Sequence, residues 1–95
     1  MVLTARLEGR PVRIMLDSGA NQNYASLRLW GLLPQQRRNK ENPYPLTMAD
    51  GTPVDYEGGW IKKELREVEL RIGTHDEKIT LDIMSIKYDI VLGMT

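Results

Sequence analysis

The chain has no cysteine and only one histidine, His75, among its 95 residues. The lack of cysteine excludes disulfides, a thiolate nucleophile and cysteine-ligated metal centres. A single histidine cannot build a multi-histidine zinc site or a histidine-based catalytic triad within one chain. We therefore predict no metal site, and nothing in the sequence indicates a cofactor.

An excess of charge of one sign is also missing. The 13 basic and 13 acidic residues give a formal net charge of zero, and no long run of either sign occurs. This balance does not favour nucleic acid or an anionic membrane as a partner. No apolar run approaches the length that spans a membrane, and the N-terminus lacks the pattern of a signal peptide. We expect a soluble, unsecreted protein with a single domain over residues 1–95 and one modest core.

Alternating apolar residues predict a β-hairpin at the start of the chain. They stand at every second position in residues 2 to 7 and 12 to 16, with the turn signal EGRP between them. The same alternation favours a strand over residues 66 to 72. Residues 62 to 66, just before this strand, are good helix formers, so a helix is an alternative there.

A short helix is predicted in SLRLWGLL, with Ser26 as its N-cap. Its residues Leu27, Trp30 and Leu33 would face the core. The remaining elements are strands and loops, so the pattern predicts a mostly β domain with one short helix.

Polar stretches and apolar runs place the loops and the last strands. The proline-bracketed residues 34 to 45 predict an exposed loop. Asp50 and Gly51 are typical of a type I′ hairpin turn, and THDE at residues 74 to 77 predicts another turn. Alternation over residues 79 to 83 and the continuous apolar run of YDIVLG predict two further strands.

Asp17 ends the second apolar strand, in the stretch VRIMLDSGA, and is followed by Ser18 and Gly19. Burying an ionised carboxylate is costly unless it gains partners, so Asp17 either marks a turn or serves the chemistry of the protein. Two such carboxylates close together would share one proton. One could then take a proton from water while the other donates to a carbonyl oxygen, which is peptide hydrolysis without serine, cysteine or metal.

Three motifs resemble those of one protein family, in the family's order, over residues 3 to 94. MLDSGA resembles the Asp-(Thr/Ser)-Gly-(Ala/Ser) signature of retropepsin-like aspartic proteases. TMADGTPV resembles the flap segment, and YDIVLGM the closing signature, of proteases from gypsy-type LTR retrotransposons. The resemblance implies a retropepsin-like closed β-barrel of the acid protease fold.

The resemblance also implies a role for each matching residue. Asp17 is the expected catalytic carboxylate, and Ser18 takes the place of the family's threonine in hydroxyl contacts beneath the two acids. Gly19 and Ala20 are expected to line the floor of the site. The flap that closes over a bound peptide would consist of Met48, Ala49, Asp50, Gly51 and Thr52. The residues expected to pack beneath the active-site loop are Val91, Leu92 and Gly93.

Only one Asp-Ser-Gly occurs in the chain. The resemblance therefore implies an isologous homodimer in which Asp17 of each copy contributes to one dyad. It implies an aspartic endopeptidase that cleaves extended peptide segments of a polyprotein without a cofactor. The expected location is the cytoplasm or the interior of virus-like particles.

Alternatives to this reading stay open. The chain ends two residues after Gly93, where relatives continue into a short helix. By that comparison the chain was cut there, or dimerises by other surfaces, or is monomeric and inactive. The rival function is a non-catalytic domain of the same fold that serves as a dimerisation or peptide-binding module. An origin among ubiquitin-system shuttle proteins of the DNA-damage-inducible type is less favoured, because their flap lacks the Ala-Asp-Gly tip.

Overall fold

Strands make up most of the fold. The structure is a computed structural model that describes residues 1–20, 22–47, 51 and 56–93. Its strands are β1 (Val2–Leu7), β2 (Arg10–Asp17), β3 (Tyr24–Ala25), β4 (Arg37–Pro45), β5 (Trp60–Ile72), β6 (His75–Ile83) and β7 (Ile90–Gly93). Its helical elements are α1 (Leu27–Leu32) and two 3₁₀ turns, Pro34–Gln36 and Glu57–Gly59. No helix in the described residues is long and apolar enough to cross a membrane.

Six of the strands close into a barrel. They follow the order β1-β2-β7-β3-β6-β5, and β1 pairs with β5 through Arg6 with Arg71 and Leu7 with Leu70. Among the described strands, β4 lies outside this ring and pairs with β5 alone. Closure pairs the strand edges that an open sheet would expose. The predicted mostly β, closed-barrel fold with one short helix is confirmed.

The opening hairpin is confirmed as well. β1 and β2 pair antiparallel through a two-residue turn at Glu8 and Gly9. Both turn residues have positive φ, 48° and 79°, as a type I′ turn requires. Glycine adopts such angles freely, so Gly9 suits this position.

Aliphatic side chains fill the barrel and decide which face of each strand points inward. The largest fully buried ones come from five strands and α1: Leu7, Ile14, Leu29, Ile61, Leu65, Val68, Leu70, Leu81, Ile83 and Ile90. Burying one such side chain contributes about 1.5–3 kcal/mol. The cluster therefore ties together the strands that carry the candidate site.

Helix α1 forms where predicted, but its inner face differs from the prediction. Ser26 is its N-cap, and the Ser26 Oγ accepts a hydrogen bond from the backbone N–H of Leu29 at 3.4 Å. Leu29 is fully buried and Leu33 is 6% exposed, whereas Leu27 is 45% exposed. Residues four positions apart share one helix face, so Leu29 and Leu33 face the core together. The prediction that Leu27 faces the core is wrong, and Trp30 packs against the core only in part.

Residues 34 to 45 do not form the predicted exposed loop. After the first 3₁₀ turn, β4 pairs antiparallel with β5, from Arg37 opposite Leu65 to Pro45 opposite Trp60. Charged residues and prolines are typical of edge strands as well as of loops. The composition of this stretch could not separate the two.

β5 is a strand throughout, including residues 62 to 66, for which the sequence was also compatible with a helix. Its pairing with β6 shifts register by one residue, because Leu65 pairs with Leu81 and Val68 with Ile79. Up to Leu65, the apolar side chains that point inward stand at odd-numbered positions of β5. After the bulge, from Val68 onward, they stand at even-numbered positions. A single strand period is therefore not visible across this segment.

The predicted strands near the C-terminus are present. β6 carries the buried Leu81 and Ile83, and β7 forms from the apolar run of YDIVLG. The turn before β6 occupies Gly73 and Thr74, not residues 74 to 77. Two residues are enough to join antiparallel strands, so His75 is already part of β6.

Candidate active site

Asp17 stands at the end of a barrel strand, beside the end of another. β2 and β7 run parallel, and their last pair is Asp17 with Gly93. Parallel neighbours end on the same side of a sheet, so the carboxylate emerges where β7 also ends. Asp17 is half-buried.

Residues 18 to 20 turn back over this carboxylate. The backbone N–H of Gly19 donates a hydrogen bond to Asp17 Oδ1 at 2.9 Å, and the N–H of Ala20 donates to the Asp17 carbonyl oxygen at 3.3 Å. The first bond orients the side chain. Ser18 is exposed in the single chain, and its hydroxyl contacts with a second acid stay a prediction.

Gly93 lies directly beneath the loop after Asp17. A Cβ at this position would collide with the carbonyl oxygen of Ala20 and would lie 2.9 Å from that of Gln22. The Gly93 N–H donates to Asn23 Oδ1 at 3.0 Å. Glycine is therefore required by close packing, as its place in the closing motif suggested. The contact of Asn23 was not predicted, since no pattern in the sequence links residues 70 positions apart.

A cleft of about 750 Å³ opens beside Asp17. Asp17, Gly19 and Ala20 line it together, so the structure brings three of the predicted site residues to one surface. The other lining residues are Met15, Gln22, Tyr24, Tyr44, Pro45, Leu46, Thr47, Met84, Ile86, Lys87, Tyr88 and Val91. Most of these are apolar or aromatic, which suits the side chains of a peptide more than a highly charged ligand.

The predicted flap falls mainly outside the described residues. Met48, Ala49, Asp50 and Thr52 are not among them. Gly51 is exposed and has a φ of 88°. The predicted type I′ turn at residues 50 and 51 therefore stays a prediction.

The sequence model of the PEG10/RTL1 protease domain matches residues 13–95. The chain belongs to this family. The PEG10/RTL1 protease domain is a gypsy-type, retrotransposon-derived retropepsin, so the resemblance of the three motifs is confirmed. No curated protein matches the sequence.

A solved structure supports the same fold for this PEG10/RTL1-type domain. The EIAV protease, complexed with the inhibitor HBY-793, matches with a TM-score of 0.62 and 17% sequence identity. The match covers 98% of this chain and 80% of that one. At this identity the likeness shows a shared retropepsin fold and nothing finer.

A cluster of buried charges borders the cleft of the PEG10/RTL1-type domain, and sequence reasoning missed it. Lys40 on β4 donates from Nζ to Glu64 Oε1 on β5 at 3.1 Å and to Asp82 Oδ1 on β6 at 2.8 Å. The Tyr44 hydroxyl donates to the other Asp82 oxygen, Oδ2. Arg66 Nε donates to Glu64 Oε2 at 2.8 Å. The side chains of Lys40, Glu64 and Asp82 are only 15%, 10% and 6% exposed.

These contacts shift the protonation equilibria of the cluster. Burial by itself would lower the pKa of Lys40, but hydrogen bonds to Asp82 and Glu64 outweigh it and raise the pKa. Burial alone would raise the pKa of Glu64, but hydrogen bonds from Arg66 and Lys40 lower it overall. Burial, followed by the bond to Asp82, raises the pKa of Tyr44. The cluster is thus held with Lys40 and Glu64 charged and the Tyr44 hydroxyl protonated.

Proposed function

We propose that this chain is an aspartic endopeptidase whose dyad consists of Asp17 from each of two copies. One observation carries the proposal. In a domain of the PEG10/RTL1 protease family, Asp17 lies at the cleft with its carboxylate oriented by the Gly19 N–H. Among the residues of the described ranges that line that cleft, Asp17 is the one carboxylic acid.

Two copies are needed because one chain supplies one Asp-Ser-Gly. A two-fold axis beside Asp17 would bring both carboxylates together, and Ser18 of each copy would brace the pair from below. Like charges at close range prevent both acids from ionising, so the pair would share a proton.

The proposed reaction uses the two acids in different roles. The ionised carboxylate accepts a proton from a water molecule as the water attacks the scissile carbonyl carbon, while the protonated carboxylic acid donates to the carbonyl oxygen. The resulting diol collapses as a proton passes to the leaving nitrogen and the C–N bond breaks. Because the pair titrates as a unit, the rate should follow a bell-shaped profile on the acidic side.

The substrate proposed here is an extended peptide segment of a polyprotein. Met48, Ala49, Asp50, Gly51 and Thr52 would close over it and contribute backbone hydrogen bonds while excluding water. We propose the cytoplasm or virus-like particles as the place of cleavage. The apolar and aromatic lining of the cleft supports a peptide substrate.

The deciding experiment is cleavage of a broad peptide library at mildly acidic pH over a protein dilution series. Wild type, Asp17→Asn and the control Asp76→Asn are compared, since Asp76 has a 64% exposed side chain on β6 and does not line the cleft. Activity should fall faster than linearly on dilution, vanish in Asp17→Asn and persist in Asp76→Asn. If wild type and Asp17→Asn are equally silent at every concentration, the non-catalytic dimerisation or peptide-binding function replaces this proposal.

A further inference from the structure

The buried charge cluster connects the edge strand β4 to the wall of the cleft through Tyr44. We propose that Tyr44 contacts the substrate and sets which side chain the cleft accepts, and that Asp82 and Lys40 are positioning residues that act through it. This inference rests on the proposed peptidase function and assigns a specificity determinant to the same site.

The anchor of Tyr44 is a carboxylate whose two oxygens are both engaged. Asp82 Oδ2 accepts from the Tyr44 hydroxyl, and Asp82 Oδ1 accepts from Lys40 Nζ at 2.8 Å. Hydrogen bonds to charged groups are shorter and stronger than those between neutral groups. With the Asp82 side chain only 6% exposed, water competes little for this contact. The aromatic ring is therefore held at one end by a fixed group.

Strand register brings the anchoring groups together. Between Asn39 and Tyr44 the chain advances five positions along β4, while the partner strand advances two, from Lys63 to Ile61. This irregular stretch contains Lys40, whose ammonium group reaches across β5 to β6. Three strands are thus joined at one point beside the cleft.

The anchor and the cleft wall belong to the same strands. Tyr24 on β3 pairs with Asp82 on one side and with Val91 on the other. Tyr24, Tyr44 and Val91 all line the cleft, as does Met84. A shift of Asp82 would therefore move both Tyr44, through the hydrogen bond, and Tyr24, through the strand pairing.

The chemistry of this wall indicates what it would recognise. Since the Tyr44 hydroxyl is already engaged by Asp82, Tyr44 presents its ring to the cleft. Aromatic rings and a methionine thioether favour a large apolar side chain, whereas a charged side chain would lose hydration against these groups. We expect a large apolar residue of the substrate to lie beside Tyr44.

Stability alone does not account for the cluster. Buried ion pairs are often no more stabilising than well-packed apolar residues of similar volume. What a tyrosine bonded to a charged anchor provides is a defined ring position. That property matters for a binding wall more than for a core.

The test profiles cleavage preference with a synthetic peptide library read by mass spectrometry. Wild type is compared with Tyr44→Ala, which removes the ring, and with Asp82→Asn, which removes the charged anchor. Tyr44→Phe keeps the ring but removes the same anchoring hydrogen bond, and it replaces Asp82→Asn if that variant does not fold. The matched control is Glu8→Ala, because Glu8 Oε2 accepts the Glu69 N–H at 2.6 Å in the hairpin turn, at the opposite end of β2 from Asp17.

Tyr44→Ala and Asp82→Asn should both reduce the preference for a large apolar residue, at the same library position, by about tenfold or more, the size typical of a lost pocket contact. Tyr44→Phe should match Asp82→Asn, because both keep the ring and remove its bond to a charged group, and Glu8→Ala should leave the preference unchanged even where its melting temperature falls. An unchanged preference in Tyr44→Ala, or equal changes in Asp82→Asn and Glu8→Ala, would overturn the inference.

A wild type that cleaves nothing would refute the proposed function, and the inference is then judged by equilibrium binding of the same library. Selection of large apolar peptides by wild type, lost in Tyr44→Ala, supports the assigned wall. Equal binding by both proteins, or binding by neither, overturns it. The two failures are thereby distinguished.

Discussion

Replacing Gly93 with alanine tests the packing of the loop that carries Asp17. The added Cβ would collide with the Ala20 carbonyl oxygen and would lie 2.9 Å from the Gln22 carbonyl oxygen. Both obstacles are backbone atoms, which cannot rotate away as the end of a flexible side chain can. Either the loop or β7 must move, and Asp17 is paired with Gly93 itself.

The cost follows from the kind of contact. Forcing an extra methyl group into a well-packed site costs about 1–3 kcal/mol. Because two backbone oxygens oppose this one, we expect the upper end, about 3 kcal/mol. For a domain of this size that corresponds to a fall in melting temperature of roughly 12–24 °C.

Urea unfolding at one fixed protein concentration measures this loss, since self-association would make stability depend on concentration. The matched control is Gly31→Ala in α1, where no neighbouring atom lies within 4 Å of the added Cβ. Gly31 lies in the last turn of α1, so alanine there should stabilise by no more than about 0.5–1 kcal/mol over glycine. A Gly93→Ala protein as stable as wild type would refute the packing argument.

Three further predictions concern the charge cluster and the helix cap. Lys40→Met leaves the buried carboxylates of Glu64 and Asp82 without their shared cation, and it should cost about 3–5 kcal/mol in urea unfolding. The control Lys62→Met removes one side of an exposed ion pair and should cost less than about 1 kcal/mol. The folded-state pKa of Glu64 is lowered from its ordinary 4.5, so its stabilisation is present above that pH and is lost as the pH falls through the folded pKa. Glu64→Gln should therefore flatten the fall of melting temperature below pH 4.5, measured over a pH series. Ser26→Ala removes the N-cap of α1 and should cost about 1 kcal/mol in the same urea assay.

Each of these has a contrary outcome. Equal losses of unfolding free energy in Lys40→Met and Lys62→Met would show that Lys40 does not compensate the buried carboxylates of Glu64 and Asp82. A Glu64→Gln protein with the same acid transition as wild type would contradict the lowered pKa. An unchanged Ser26→Ala protein would mean that the cap bond does not contribute to stability.

The first strands could be predicted because they bury one face only, whereas their closure into a barrel was implied by the family resemblance alone. Alternation in β1 and β2 marks that face residue by residue, and Asp17 breaks the apolar pattern where β2 ends. The motif order then placed β7 beside it. Local patterns sufficed here because each strand could be recognised without knowing its neighbour.

The outer strands could not be predicted in this way. β4 has no fully buried residue on either face, and its half-buried contacts come from charged and aromatic side chains. The bulge in β5 reverses the inward positions between Leu65 and Val68. The contacts of Lys40 span 24 and 42 residues, to Glu64 and Asp82, so no local pattern reveals them.

Glu64, Asp82 and Asp89 differ from Asp17 in what their carboxylates contact. Glu64, Asp82 and Asp89 each bind a cation, the last through Arg28 at 2.8 Å. Within the described part of the chain, Asp17 has no salt-bridge partner and accepts only a backbone N–H. Glu64, Asp82 and Asp89 therefore hold the strands and α1 in place through their cations, whereas Asp17, oriented by the Gly19 N–H at the cleft, is placed for the proposed chemistry.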